Sequence, residues 1–409
     1  FDAVSQEVFR PRIETPAGPL VLGGPSLIDI DDHPALSRIR TSGVAANGAG
    51  EVLWEAEWFV VSGRPELWGH VRIDTAAPST LFHPVDWRQA VVSFAAGLDG
   101  TEGLSGADLL SGTLTTPDDA LFVAEGLLRS HHRHAVGQPS DATSLVYAAL
   151  LRWLSTQTQA SPPLRADGWL AGEPAMYRRR ARDLGTMRAL RSGLRGSLER
   201  PINNWREASV LPRVAPCALS SWTPFQLASD IAALTHSHRE PAYAAGVYAT
   251  ILQKRLVGES LADAVTSALT RLPDDEDAEE LSAVIDHALD TADLGDPTPE
   301  RAAEVLAFGG PDPTHARAVL GAGLYVAGCV ERLDDALGLA VLVGGPASRV
   351  GAVVGQLIGA ERGITDLPAD IVGALELREV VTTVANDLYE HFSGVPYEVS
   401  EDEWDRYPG

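Results

Sequence analysis

Hydrophobic and polar positions follow two different periods along this chain. Before about residue 86, short runs rich in valine, isoleucine and tryptophan alternate with proline and glycine, and no long helical period is present. Such runs predict β-strands, here at Leu20–Leu22, Leu27–Ile30, Glu51–Ser62 and Trp68–Asp74. From Trp87 onward, apolar residues recur at the spacing of an amphipathic helix. The pattern predicts a mainly α protein, in which a small β-rich N-terminal module (residues 1–86) precedes a compact all-helical domain (residues 87–409).

Glycines mark the most distinctive stretch of the helical part, Val343–Ala360, which reads VGGPASRVGAVVGQLIGA. Its first residues predict a turn, and the valines, leucine and isoleucine that follow lie at helical spacing. Gly351, Gly355 and Gly359 recur every four residues. A helix side without side chains can approach another backbone closely, so we expect this helix to pack tightly on that side, at the floor of a site.

Composition and charge narrow the classes of function. The chain has 409 residues, of which 45% are hydrophobic, and no apolar run of membrane length, so we expect a soluble protein with a sizeable core and no membrane partner. A formal net charge of −24 disfavours nucleic acid as a partner. Only Cys217 and Cys329 occur, and free thiols in a reducing cytoplasm are expected. The sequence begins at Phe1 without methionine, which leaves a removed leader open.

Several motifs carry a resemblance to a known family. The helix LFVAEGLLR follows the acidic pair Asp118–Asp119, the segment RVAP occupies Arg213–Pro216, and ALTHSH occupies Ala233–His238. Together with Val343–Ala360, and with Asp167–Leu170, which is similar to a D-G-W-L loop of actinobacterial members, these segments resemble the ADP-ribosylglycohydrolase family from about Trp87 to Gly409. The resemblance implies an all-helical fold and hydrolysis of a glycosidic bond to ADP-ribose with two Mg²⁺ ions held by carboxylates.

The chain departs from that family where the metal ligands are expected. The family's C-terminal turn reads G-D-[ST]-D-S; its two aspartates fall on Pro346 and Ser348, and its last serine falls on Arg349. The two aspartates of the N-terminal signature fall on Thr115 and Thr116 when the segments are aligned without a gap. A deletion of three residues would place them on Asp118 and Asp119 instead. The resemblance therefore predicts that this chain has lost the binuclear Mg²⁺ site and binds no metal or other cofactor. If that interpretation is wrong, the expected cofactor is Mg²⁺.

Each candidate residue also has a structural interpretation. Asp118 and Asp119 follow Pro117, and acidic residues stabilise the first turn of a helix. His236 and His238 invite a metal hypothesis, but a structural histidine is favoured. His131, His132 and His134 are predicted to form a surface cluster at a helix end, where a positive charge suits the helix dipole. Arg349 either points to solvent or an acid, or points inward and favours an anion.

Three hypotheses for function follow. In the first, the chain is a non-hydrolytic binding or regulatory protein whose cleft takes a small anionic or nucleotide-like ligand or a protein partner. In the second, the cleft performs a metal-independent reaction, in specialised metabolism or toxin immunity, with candidate catalytic residues Asp118, Asp119, His236 and Arg349. In the third, the chain is still an ADP-ribosylglycohydrolase with relocated ligands. The sequence does not name the ligand or the oligomeric state.

Overall fold

The computed structural model describes the backbone of strand residues 12–15, 18–21, 26–31, 36–47, 50–61 and 67–74, and then residues 118–178, 183–220, 223–295, 297–343, 346–363, 377–392 and 401–408. The strands belong to one compact unit, and the helical residues up to Ala340 and from Ser348 onward belong to a second. The predicted boundary at residue 86 lies outside the described residues.

The first unit contains antiparallel strands. Their bounds are β1 (Arg12–Thr15), β2 (Gly18–Val21), β3 (Ser26–Asp31), β4 (Leu36–Asn47), β5 (Gly50–Val61) and β6 (Leu67–Asp74). β1 and β2 pair with each other, and β3, β4, β5 and β6 form an antiparallel sheet in chain order. β2, β3, β5 and β6 fall at the four predicted positions. β4 is not predicted, because its sequence LSRIRTSGVAAN has few of the residues that favour strands.

Helices make up the second unit. Their bounds are α1 (Asp118–Ala135), α2 (Ala142–Thr158), α3 (Trp169–Gly172), α4 (Leu184–Arg191), α5 (Val210–Arg213), α6 (Cys217–Ser220), α7 (Pro224–Ala233), α8 (Arg239–Leu256), α9 (Leu261–Leu269), α10 (Glu276–Ala292), α11 (Pro299–Phe308), α12 (Ala316–Cys329), α13 (Leu333–Leu342), α14 (Ala347–Arg362), α15 (Arg378–Phe392) and α16 (Glu401–Arg406). No helix among the described residues is long and apolar enough to cross a membrane. The predicted helical character of this part of the chain is confirmed.

Helix α8 is the centre of the core. Nearly every residue from Glu240 to Leu252 is buried, and the helix packs against α7, α9, α10 and α12. A helix that is buried on all sides belongs to the interior of a protein. The small residues of its sequence, PAYAAGVYA, permit close packing, since a methyl group on Gly246 would lie 2.5 Å from Oγ of Ser229 on α7.

The glycine stripe of α14 has few neighbours in the part of the chain that the structure describes. Among those residues, a methyl group on Gly355 or Gly359 would have nothing within 4 Å, and one on Gly351 would meet only Leu337, at 3.7 Å. The close approach instead involves the opposite, valine-bearing side, because a methyl group on Gly323 of α12 would lie 2.5 Å from Cγ1 of Val353. No described residue supplies the close neighbour predicted for the stripe, so close packing along it stays a prediction.

A buried charge network joins α1, α2 and the loop before α3. Glu125 Oε1 lies 2.7 Å from Nη2 of Arg129 and 3.2 Å from Nη2 of Arg152, and both arginines also pair with Asp167. Gly168 has a φ of +92° in this loop, and a side chain there would overlap the Arg129 guanidinium. The Asp-Gly pair of the Asp167–Leu170 motif thus has a structural explanation.

The predicted surface cluster of histidines is partly wrong. His132 is fully buried: its Nδ1 lies 2.9 Å from the carbonyl oxygen of Tyr407, and its Nε2 lies 3.3 Å from Nε2 of His391. Its ring stacks on Trp404, at 5.6 Å between centroids. His134 is exposed, as predicted. The C-terminal segment covers His132, a long-range contact that local sequence does not reveal.

Candidate functional site

The side chains of the acidic pair at the start of α1, Asp118 and Asp119, contact N–H donors from other helices of the chain. Asp118 is buried and accepts hydrogen bonds from Trp153 Nε1 (2.9 Å) and Gln157 Nε2 (3.2 Å), both on α2. Asp119 Oδ2 lies 3.6 Å from Nη1 of Arg213. The pair opens the helix, in agreement with the structural interpretation of these two residues.

Arg213, the arginine of the RVAP segment, is fully buried. Its Nη1 donates to Oγ1 of Thr186 (3.0 Å), and its Nη2 donates to Oγ1 of Thr235 (2.8 Å). Burial raises the pKa of Asp119 to about 7, although the charge of Arg213 acts to lower it. The raised pKa means that desolvation of this carboxyl outweighs its attraction to the guanidinium.

His236 is buried in a network of polar side chains. Its Nδ1 lies 3.0 Å from Oγ1 of Thr235, and its Nε2 lies 3.4 Å from Oγ of Ser209. The carboxylates of Asp183 and Glu207 each lie 3.7 Å from Nε2. Burial lowers the pKa of His236 to about 3, against the opposing effect of Asp183, so the ring is neutral at pH 7. These contacts are those of a structural histidine.

The neighbouring His238 caps helix α8. Its Nδ1 accepts a hydrogen bond from the backbone N–H of Glu240 at 3.1 Å, which satisfies one of the unpaired donors of the first turn. The ALTHSH motif therefore places one histidine in the core and the other at a helix terminus.

Asp183 is one of the residues of this site that sequence reasoning missed, together with Arg188, Trp205 and Glu207. It is the N-cap of α4, and its carboxylate accepts hydrogen bonds from the backbone N–H groups of Gly185 (3.0 Å) and Thr186 (3.1 Å). The hydroxyls of Thr186 and Ser209 also donate to it, each at 2.6 Å. Burial opposes ionisation, but His236 and these hydrogen bonds hold the pKa of Asp183 well below its ordinary value. An aspartate ahead of a helical run was the available signal.

A cleft of about 410 Å³ lies beside this network. Its lining consists of Asp183, Leu184, Gly185, Arg188, Trp205, Glu207, Thr314 and Arg349. Arg349 is half-buried, and its charge helps to lower the pKa of Asp183 after the effects of burial, His236 and the hydroxyl donors. The structure thus brings Arg349 and Asp183 to one cleft, with His236 behind them.

The other sequence candidates do not all fall in this cleft. Asp119 is linked to it through Arg213, whereas Asp118 is held by α2. Ser348 is exposed and Pro346 is half-buried, and neither lines the cleft. Thr115 and Thr116 lie outside the described residues.

Comparison with known proteins identifies the family. The model of the ADP-ribosylglycohydrolase family matches residues 84–397, which is more than half of the chain. The chain belongs to the ADP-ribosylglycohydrolase family. A solved structure titled "ADP-ribosylglycohydrolase-related protein complex" is similar at 24% identity and a TM-score of 0.48, over 68% of this chain and 82% of that chain. A search of curated proteins found no match.

The magnesium centre implied by the ADP-ribosylglycohydrolase family can be compared with the side chains present here. Within the described ranges, no group of three or more His, Cys, Asp or Glu side chains is arranged to hold a metal ion. The oxygens of Asp118 accept from an indole and an amide, and Asp119 pairs with a guanidinium. Mg²⁺ requires several oxygen ligands in near-octahedral geometry, and this donor set does not fit that requirement.

Proposed function

We propose that this member of the ADP-ribosylglycohydrolase family has lost the binuclear Mg²⁺ site and is a non-hydrolytic binding or regulatory protein. The observation that carries the proposal is the pairing of Asp119 with Arg213 at 3.6 Å, beside an Asp118 that accepts from Trp153 and Gln157. A buried guanidinium beside a carboxylate supplies the positive charge that a metal ion would otherwise bring, and it repels a second cation.

The C-terminal positions support the same proposal. Where the family has aspartates, this chain has Pro346, which has no side-chain oxygen, and Ser348, which is a neutral and exposed hydroxyl. Arg349 then adds a positive charge to the cleft. A half-buried arginine favours a carboxylate or a phosphate over Mg²⁺. The proposed ligand is therefore a small molecule with an anionic group, or a protein partner that presents one; nucleic acid and membranes are not proposed partners.

A metal-independent reaction is the second candidate, and one observation favours it. The pKa of Asp119 is raised to about 7 by burial. A carboxyl group with a pKa near the working pH can act as a general acid or base. Arg213 lies beside Asp119 and would hold its ionised form in place.

Calorimetry with Mg²⁺, Mn²⁺ and ADP-ribose, together with an assay for release of ADP-ribose from modified protein, tests the proposal. We expect no stoichiometric metal binding and no release above background, and we expect binding of anions such as inorganic phosphate to be weakened by Arg349→Gln. Glu331→Gln, at a side chain that is 89% exposed, is the control. Tight binding of Mg²⁺ that is lost in Asp119→Asn would show instead that the chain is an active hydrolase with relocated ligands.

The two cysteines agree with a reducing compartment. Both thiols are free; Cys217 is buried, and burial raises its pKa. A protein with only free thiols fits the cytoplasm, which is where we propose that it acts.

A further inference from the structure

The lining of the cleft balances its own charge. Arg188 and Arg349 contribute two positive charges, and Asp183 and Glu207 contribute two negative charges. Asp312 adds a further negative charge nearby: burial opposes its ionisation, but hydrogen bonds from Thr314 and, after them, the charges of His315 and Arg349 lower its pKa. A ligand with net negative charge gains little from such a lining, because the carboxylates cancel the attraction of the arginines. A ligand that carries both signs can use both.

The two carboxylates of the lining have different roles. Asp183 already accepts four hydrogen bonds, from Gly185, Thr186 and Ser209, so its oxygens are occupied. Glu207 Oε2 is buried beside the neutral His236 and has no hydrogen-bond donor among the described residues. The Glu207 side chain as a whole is 37% exposed, so the rest of its carboxylate is open to the cleft that it lines. Glu207 is thus the carboxylate left to bind a positive group.

Glu207 is also held firmly in place. Its backbone forms an isolated antiparallel bridge with His315. The N–H of Ala208 donates to the carbonyl of Thr314 at 2.9 Å, and the N–H of Ala316 donates to the carbonyl of Arg206 at 2.8 Å. The half-buried Trp205 lies directly before this segment and also lines the cleft. An aromatic face beside a carboxylate is a favourable environment for an ammonium group.

The two arginines of the lining, Arg188 and Arg349, supply the positive groups that can bind the anionic end of a ligand. No hydrogen bond or ion pair joins the guanidinium of Arg188 or Arg349 to another side chain in the part of the chain that the structure describes. Their donors are available to a ligand, and the planar fork of arginine matches the oxygens of a carboxylate, sulfonate or phosphate group.

We infer that the cleft binds a small zwitterion, with its ammonium group at Glu207 and Trp205 and its anionic group at Arg349 and Arg188. This inference rests on the proposed ligand-binding function of the same cleft. The cleft volume of about 410 Å³ suits a small molecule, since it is near the lower end of the ordinary range of ligand pockets.

Matched pairs of probes that differ only in the amine test this inference. Titration calorimetry compares taurine with ethanesulfonate, β-alanine with propionate, and phosphoethanolamine with ethyl phosphate. We expect each zwitterion to bind at least about tenfold more tightly than its partner, which corresponds to about 1.4 kcal/mol. Glu207→Gln should remove the preference, because it weakens binding of the zwitterion and binds the simple anion at least as tightly as the wild type does, whereas Arg349→Gln should weaken both. Circular dichroism checks that each variant is folded, and Glu331→Gln is the control.

The outcomes separate this inference from the proposed function. If the wild type binds both members of every pair equally tightly, the inference that the cleft prefers a zwitterion is overturned, and the proposal that the cleft binds anions stands. Binding of neither member at millimolar concentrations, or binding that Arg349→Gln does not change, would overturn both. The comparison within the wild type decides the preference even if Glu207→Gln fails to fold.

Discussion

At the scale of single residues, the polar network beside the cleft has one direction of donation. The hydroxyl of Ser209 donates to Asp183, so in its contact with Nε2 of His236 the Ser209 oxygen accepts and the neutral ring carries its hydrogen on Nε2. Nδ1 then accepts from the hydroxyl of Thr235, whose oxygen in turn accepts from Arg213. Because Nε2 is a donor in this arrangement, His236 is not a general base for Ser209. The network holds the carboxylate of Asp183, which lines the cleft.

The same network predicts how stability depends on pH. His236 has a pKa of about 3 in the folded protein, well below its ordinary value, because it is buried. The unfolded chain therefore binds a proton between about pH 6.5 and pH 3 that the folded chain does not bind, and stability should fall as the pH falls through this window. The raised pKa of Asp119 has the opposite sign: it contributes stability that is lost as the pH rises from about 4 to 7.

A variant separates the two contributions. Urea unfolding is measured at several pH values between 4.5 and 6.5. The free energy of unfolding of His236→Gln should rise with pH less steeply than that of the wild type, by roughly 1 kcal/mol per pH unit, because a difference of one bound proton corresponds to about 1.4 kcal/mol per pH unit. Exposed His134→Gln is the control and should keep the wild-type slope. A His236→Gln profile parallel to that of the wild type would show that His236 binds its proton equally well in the folded and the unfolded protein.

At the scale of helices and strands, the local sequence pattern predicted those element boundaries that nearby residues determine. The helices that open at Asp118 and Ala347 begin close to where the acidic residues and the apolar period indicated. β4 was missed because its pairing with β5 along twelve residues, and not its composition, gives it its structure. The pairing of Asp119 with Arg213 was also not predictable, since the two residues lie on different helices and no local pattern links them.

The two faces of α14 give a prediction at this scale. Gly323→Ala should destabilise the protein by about 1–3 kcal/mol, because its methyl group would lie 2.5 Å from Cγ1 and 3.2 Å from Cβ of Val353 on the packed face. Gly355→Ala, on the glycine stripe, should be neutral or stabilising by up to about 1 kcal/mol, since alanine favours the helix and the methyl group meets no described residue within 4 Å. Urea unfolding measures both. Equal losses in the two variants would mean that the stripe is packed after all.

At the scale of the helical unit, the C-terminal segment connects parts of the chain that are far apart in sequence. Tyr407 is fully buried, and its hydroxyl donates to Oδ2 of Asp387 on α15 at 2.7 Å. Arg406 binds the same carboxylate through Nε (3.2 Å) and Nη2 (3.0 Å). The carbonyl of Tyr407 meets His132 of α1. One carboxylate on α15 and one histidine on α1 therefore hold the end of the chain.

We expect Asp387→Asn to destabilise the protein by about 2 kcal/mol. The amide keeps the shape of the carboxylate, but it lacks the negative charge to which Arg406 and Tyr407 donate. Its NH₂ group, which is a donor, replaces a carboxylate oxygen that accepted, so two donors would face each other. Urea unfolding measures the loss of stability. If the slope of the unfolding free energy against urea concentration is unchanged, the compactness of the folded and unfolded states is preserved. Glu331→Gln removes an exposed ion pair with Arg362 and should cause no measurable change. If Asp387→Asn lost no more stability than this control, the C-terminal segment would be a surface attachment, and the burial of Tyr407 and His132 would have to be maintained by packing alone.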